Sequence, residues 1–343
     1  MKHNVKALAL SAALAAIAGS AVAQEVTIKI ADSLPADHII TQYTTKVFIE
    51  KVTAELGDRV AFEHYPAQQL AKAKDMLSIT QAGIADIGYV VPSYVSEKMP
   101  LGGVVELPGE TASSCEGTLA FEALVQPGGR LDELEFKPNG VRVLYNVALS
   151  PYQAVFSKRA NVNSLADIAG MKIRSNPGAM ELSLQSIGGV SVRMTPPEIY
   201  DTMTKGTIDG ALLPFASIYS YGLNQIAGSA TKGANFGTVG ITYSMSEQKW
   251  DSLPADVQEV LTRVGREVTK TACKAFDRSE NELAEKMAAA GANVFLLSDE
   301  EKATLNESFE SVANDWAVAL DGRGQPGSEI LADFRAKVKE LRN

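Results

Sequence analysis

Cysteine and histidine are nearly missing from this chain: two cysteines, Cys115 and Cys273, and three histidines in 343 residues. Two cysteines exclude a disulfide framework, and their separation fits no metal-ligand spacing. In an oxidising compartment they either pair, closing a long loop, or stay two small buried apolar residues, and both readings remain open. Beyond residue 23 only His38 and His64 remain, in no HExxH and beside no cysteine. The nucleophile elbow GxSxG and the phosphate loop GxxxxGK[ST] are also absent. The expectation is a protein that is not an enzyme, uses no cofactor and carries no metal-ligand motif. Positive charge is in deficit too, with a formal net charge of -9, which argues against nucleic acid as a partner.

Long apolar runs are confined to the start. Lys2, His3 and Lys6 precede ALALSAALAAIAGSAVA, which ends in Ala21-Val22-Ala23, the pattern of a secretory signal peptide cleaved after Ala23. Cleavage removes Lys2 and Lys6 and takes the charge to two units below -9. No later run has the length of a membrane span. The expected mature protein is soluble, exported and about 320 residues long, more than one core usually serves.

Strands and helices alternate through the mature chain. EVTIKIADSLP, with Val26, Ile28 and Ile30 alternating, reads as a strand ending in a proline-containing loop, TQYTTKVFIEKVTAEL as a helix, RVAFEHYP as a strand ended by Pro66, QQLAKAKDMLSITQAG as a helix, and ADIGYVVPSYV as a strand running into a loop at Pro92. After a less regular stretch come strands in VRVLYNVAL and YQAVFSKR, a short helix in NSLADIAG capped by Asn163 or Ser164, the strand MKIR, a helix after Pro177, the strand VSVRM, the helix PPEIYDTMTKG and the strand TIDGALLP. From Leu253 to Ala290 the pattern is one long helix interrupted only by Gly265, and the tail from Ser298 is helical. This is α/β grammar in two units. The expected divisions are 1–23 signal peptide, 24–150 first α/β domain, 151–237 second α/β domain, and 238–343 a return strand, a long bracing helix and C-terminal helices shared by both.

Four segments, in order over nearly the whole mature chain, resemble the substrate-binding proteins of tripartite ATP-independent periplasmic (TRAP) transporters. They are HYPAQQLAKAKDMLSITQAGIADIGYV, NSLADIAGMKIRSNPG, PPEIYDTMTKGTIDGALLP and WDSLPADVQEVL. The resemblance implies a two-domain periplasmic binding protein of the Venus-flytrap kind, with a long helix bracing both domains. It implies capture of an organic acid in the periplasm and delivery to a membrane permease of two integral subunits. The arginine matching Arg174 would hold the ligand's carboxylate, and a planar, permanently charged guanidinium with paired N–H donors suits that task. A structural ion pair is the competing reading for such a residue.

Departures from the family pattern shape the expected ligand. Where many members carry a second arginine this chain has Gln153, or Ala154 if the alignment slips; Leu213 stands where many have asparagine; and the strand end that often bears a polar acceptor reads Val90-Val91-Pro92. A second carboxylate would lack a cation, and burying it unpaired is costly. The favoured ligand is therefore a monocarboxylate with an apolar or aromatic body, lined by Tyr89, Tyr94, Tyr152, Phe215 and Phe236. His38, in the loop after the first strand, is a candidate hydrogen-bonding residue. Arg142 and Arg193 read as structural or surface charges, and Asp209 as fixing the turn with Gly210. The alternatives are a ligand receptor for a sensor kinase and a secreted hydrolase or lyase. The C-terminal helices show no apolar heptad seam, so a monomer is expected.

Overall fold

The computed structural model describes residues 26–343; the expected signal peptide, residues 1–23, lies outside them. Two sheets organise the chain. The first contains β1 (Val26–Ala31), β2 (Val60–Tyr65), β3 (Ile87–Val90), β4 (Val141–Ala148) and β10 (Gly240–Ser246), in the order β2-β1-β3-β10-β4. The second contains β5 (Gln153–Ser157), β6 (Lys172–Ser175), β7 (Val190–Arg193), β8 (Gly210–Leu213), β9 (Ala227–Lys232) and β11 (Asn293–Leu296), in the order β11-β9-β5-β8-β6-β7. β1 runs parallel to β2 and β3, and β6 parallel to β7 and β8. β10 returns from the second sheet to lie antiparallel between β3 and β4.

The helices are α1 (Ile39–Tyr43), α2 (Thr45–Leu56), α3 (Met76–Gln81), α4 (Ser114–Val125), α5 (Ala179–Gln185), α6 (Ile199–Lys205), α7 (Phe215–Ser220), α8 (Glu247–Asp251), α9 (Ala255–Ala289), α10 (Asp299–Asp321) and α11 (Gly327–Arg342). The long α9 packs on α2, α4 and β4 of one half and on α7 and β11 of the other, so it braces both. Gly265, expected to interrupt it, instead permits its close approach: a Cβ there would lie 2.2 Å from the Leu144 carbonyl oxygen. No helix among the described residues is long and apolar enough to cross a membrane.

Three local expectations need correction. The helix expected over TQYTTKVFIEKVTAEL is two, α1 and α2, hinged at Thr44, whose hydroxyl donates to the Ile40 carbonyl at 2.7 Å. The helix expected from Gln68 starts only at Met76, because Ala67 and Gln68 take left-handed backbone (φ 53° and 61°) while their N–H groups bond Leu34 and Asp32 carbonyls. NSLADIAG is a 3₁₀ turn, Leu165–Ile168, closed by a Ser164–Asp167 capping box. The edge strand β11 was not expected at all.

The two cysteines are paired. Cys115 of α4 is bonded to Cys273 of α9, across 158 residues of chain. One turn further along α9, the Asp277 carboxylate accepts the Ser114 and Cys115 N–H groups at 2.7 and 3.1 Å, and Glu280 accepts the Phe215 N–H at 3.0 Å. Two carboxyls three residues apart thus tie the start of α4, on the first sheet's side, and the start of α7, on the second's, to one helix.

Candidate functional site

Arg174 sits in β6, whose parallel pairing with β7 and β8 aims its carboxyl end at the crevice between the sheets. The side chain is 0% exposed. Its Nε donates to Met194 O at 2.9 Å, Nη1 to Leu212 O at 3.2 Å, and Nη2 to Asn176 Oδ1. A guanidinium has five N–H groups, so one on each terminal nitrogen is left to give. Those two are the fork that a carboxylate takes. Among the described residues Arg174 makes no salt bridge; the buried carboxyl within its electrostatic reach, Glu106, has no hydrogen-bond partner on either oxygen. The competing reading of Arg174 as a structural ion pair therefore finds no partner.

Tyrosines surround this cation. Tyr94, Tyr152 and Tyr221 all feel the Arg174 charge, and Tyr89 lies against Tyr94 and Tyr221. Burial pushes all four hydroxyls above their ordinary pKa, so they are neutral donors and acceptors on apolar rings. His38 closes one end. It caps α1, its Nδ1 accepting the Ile40 N–H at 3.2 Å, and its ring lies 4.9 Å from that of Tyr221. Burial pushes its pKa down to about 4, so the ring is neutral, and with Nδ1 accepting, the proton sits on Nε2. That Nε2 is buried without a partner.

The other expected residues divide. Val91 is buried at the head of the Pro92–Val95 turn that carries Tyr94 into the crevice. Leu213 is buried opposite Gln153 in the β5–β8 pairing. Gln153 itself is fully engaged elsewhere: its amide donates to Ala234 O and Pro151 O, and its oxygen accepts from Ala234 N–H and Thr231 Oγ1. With Phe215, Pro151 and Glu280, Gln153 lines a cleft of about 620 Å³ on the α9 side. Phe236 packs on Phe309, ring centroids 5.8 Å apart. Of the remaining charges, Arg193 pairs with Glu181, Arg142 with Glu247, and Asp209 accepts the Lys172 N–H at 2.8 Å.

Sequence reasoning passed over Asn176, Glu106, Ser93 and Tyr221. Asn176 is 0% exposed, holds Arg174 through Oδ1, and leaves its Nδ2 unpartnered. In the chain it reads as the asparagine of an Asn-Pro-Gly turn. Glu106 had a signal, a lone acid in the apolar run GGVVELP. A cleft of about 710 Å³ opens next to the site between the two halves, lined by Lys72, Lys74, Tyr94, Pro177, Met194 and Thr195.

The profile of bacterial extracellular solute-binding protein family 7 matches residues 30–318. A C4-dicarboxylate-binding periplasmic protein of Rhodobacter capsulatus is 27% identical, over 98% of this chain and 97% of that one. A solute-binding protein of Albidiferax ferrireducens is 27% identical over 81% and 83%. Among solved structures, a marine metagenome TRAP solute-binding protein specific for aromatic acid ligands shares the fold with a TM-score of 0.84 at 24% identity, covering 92% of this chain and 99% of that one. A TRAP solute-binding protein from Rhodoferax ferrireducens with copurified benzoate gives a TM-score of 0.82 at 22% identity, covering 92% and 98%. The chain belongs to bacterial extracellular solute-binding protein family 7, the solute receptors of TRAP transporters, which bind substrates and are not enzymes.

Proposed function

We propose that this protein captures an organic monocarboxylate with an aromatic or apolar body between its two α/β halves, holding the carboxylate on Arg174, and delivers it to a TRAP permease of two membrane subunits. The divisions at 24–150, 151–237 and 238–343 are taken as the two lobes and their shared brace. It works as a periplasmic monomer, exported by a signal peptide ending at Ala23. The observation that carries the reading is a wholly buried arginine with no carboxylate partner among the described residues and two N–H groups left to give. Burying a cation unpaired costs several kcal/mol or more, so the site makes physical sense when an anion completes it.

Ligand class follows from the lining. Gln153, at the position of a second family arginine, has its amide engaged by the 231–234 turn, and the other groups near Arg174, four tyrosines, a neutral histidine, Asn176 and the buried acid Glu106, include no second cation. A dicarboxylate would bury a second charge without a cation. Relatives of the same fold were found with metahydroxyphenylacetate, benzoate and mandelate, while others hold malonate or galacturonate. The apolar surroundings of Arg174 favour the first group.

The test is a thermal-shift and calorimetric screen of benzoate, 3-hydroxybenzoate and mandelate against malonate, malate and galacturonate, with wild type and Arg174→Ala. A ligand that binds the folded state raises the melting temperature by mass action. Shifts from aromatic monocarboxylates that vanish in the variant are expected. Shifts confined to dicarboxylates or sugar acids, or an Arg174→Ala protein that responds like wild type, would overturn the reading.

A further inference from the structure

The turn Leu101–Glu106 ends on an acid that the carboxylate clamp does not use. Glu106 is 1% exposed, and neither of its oxygens has a hydrogen-bond partner among the described residues. It lies beside the Ser93 hydroxyl and within electrostatic reach of Arg174, Tyr94 and Tyr152, the same groups that line the site. The turn packs against α5, α11, β10 and the Pro92–Val95 turn. Of the ionisable side chains on those elements, Glu181 pairs with Arg193, Arg335 with Glu110 and Glu310, and Tyr243 bonds Asp32, while Tyr94 lines the site itself. Glu135, which faces the start of the turn, accepts the Leu101 and Gly102 N–H groups.

The polar groups left unpartnered here are mostly donors. Arg174 has two N–H groups to give, Asn176 an Nδ2 amide, and His38 an Nε2–H. We propose that Glu106 is a further ligand contact acting as a neutral acid, its O–H donating to a second oxygen of the bound monocarboxylate. This rests on Arg174 being the carboxylate clamp. A donor-rich, acceptor-poor site suits an acid bearing an oxo or hydroxyl oxygen near its carboxylate. It disfavours an amino acid, whose ammonium group would meet donors. Burial pushes the Glu106 pKa up to about 8, which keeps the acid protonated at neutral pH. Across the neutral range His38 stays neutral and the tyrosines stay protonated, while Glu135 at the far end of the turn is lifted to about 7, a titration that Glu106→Gln and Glu106→Ala retain and so separate from that of Glu106.

Titration calorimetry with benzoylformate and mandelate as probes, and phenylglycine as the ammonium-bearing control, decides this over about pH 6 to about pH 9.5. Both probes stay fully ionised throughout. Wild-type affinity should be level to about pH 7 and fall by up to ~10-fold per unit above about pH 8, as Glu106 loses the proton it donates. Glu106→Gln, whose amide donates at every pH, should bind both probes with a level profile. Glu106→Ala should bind about 10-fold more weakly at neutral pH, also with a level profile.

A level wild-type profile, with Glu106→Ala within about twofold of wild type at neutral pH, overturns the proposal whatever that variant does to the melting temperature. Phenylglycine binding as tightly as mandelate overturns the donor-only reading of the site. If Arg174→Ala still binds the probes, the clamp fails and the function proposed above fails with it. Loss of binding in Arg174→Ala together with a level wild-type profile sinks only the role of Glu106.

Discussion

The two sides of the second sheet bury comparable charges and treat them differently. Toward the crevice, Arg174 has no carboxylate and Glu106 has no hydrogen-bond partner. Toward α9, Glu280 is partly buried and accepts the Phe215 N–H on one oxygen while the other has no partner, and Asp277 beside it accepts two more N–H groups. Burial alone therefore says little about function. What the groups hold separates the sides: on the α9 side the carboxyls bond the starts of α4 and α7 and hold the halves together, whereas on the crevice side Arg174 and Glu106 lie within reach of one another with bonding capacity to spare. Changes toward the crevice should cost ligand and spare the fold, and changes along α9 should alter stability and spare ligand binding.

The largest expected effect is on the crevice side. Arg174→Ala should weaken binding of an aromatic monocarboxylate by at least ~100-fold, since truncating one partner of a buried charged pair typically costs about 2–5 kcal/mol. Arg174→Lys should fall between, because an ammonium keeps the charge and loses the two-pronged geometry. Calorimetric Kd values for the three proteins rank them. An Arg174→Lys protein indistinguishable from wild type would mean that geometry does not matter and would blur the contrast between the two sides.

Next comes the disulfide. Replacing Cys115 and Cys273 by serine should lower stability by about 2–5 kcal/mol in denaturant unfolding, with the ligand Kd nearly unchanged. The bond joins α4 to α9, which carry none of the residues around Arg174, and constrains a long stretch of the unfolded chain. A large loss of affinity in the folded double variant would show that the brace also sets the crevice.

The mix of legible and illegible features follows from the same division. Strands such as β1 and β6 are legible because their apolar alternation and breaking residues agree with the sheet they join. The break at Thr44 and the left-handed pair Ala67-Gln68 are not, because each is imposed by contacts outside its own segment, the latter by Leu34 and Asp32 carbonyls. The strand β11 is short, partly exposed at an edge and paired only with β9, so its residues carry little pattern. At the site, Arg174 stood out through motif and strand position. Glu106 and Asn176 did not, because their meaning lies in what surrounds them in space. Gln153 shows the converse, a residue placed by alignment whose hydrogen bonds turn it to the neighbouring loop.

Glu280 gives the comparison a pH axis. Burial is the main cause that lifts its pKa from 4.5 to about 7, against the backbone N–H bonds that lower it. An acid whose pKa is higher folded than unfolded binds more protons in the folded state, so stability is highest below the unfolded value and declines as pH rises toward about 7. Glu280→Gln should remove part of that decline, melting near wild type at acid pH and above it at about pH 8. Glu135, also lifted to about 7, adds a similar slope that the Glu280 variant retains. Melting curves of both proteins across this range check it. A variant that melts below wild type at high pH would mean that the ionised carboxylate holds α7 better than an amide does.

The smallest effect is at Arg142, the nearest analogue of Arg174 in the other sheet. Both are arginines in mostly buried strands, but Arg142 sits at the amino end of β4, reaches Glu247 at 3.2 Å and lies over the Trp250 ring, 4.4 Å from its centroid. Its charge is both partnered and partly hydrated, so Arg142→Ala should cost about 1 kcal/mol of stability, from a half-exposed ion pair and a cation–π contact. The Kd for benzoate should stay within about twofold, since nothing joins Arg142 to the crevice. If it changes more than Arg174→Lys does, then which end of a strand an arginine occupies does not decide its role, and the separation between the two sides collapses at the residue type meant to define it.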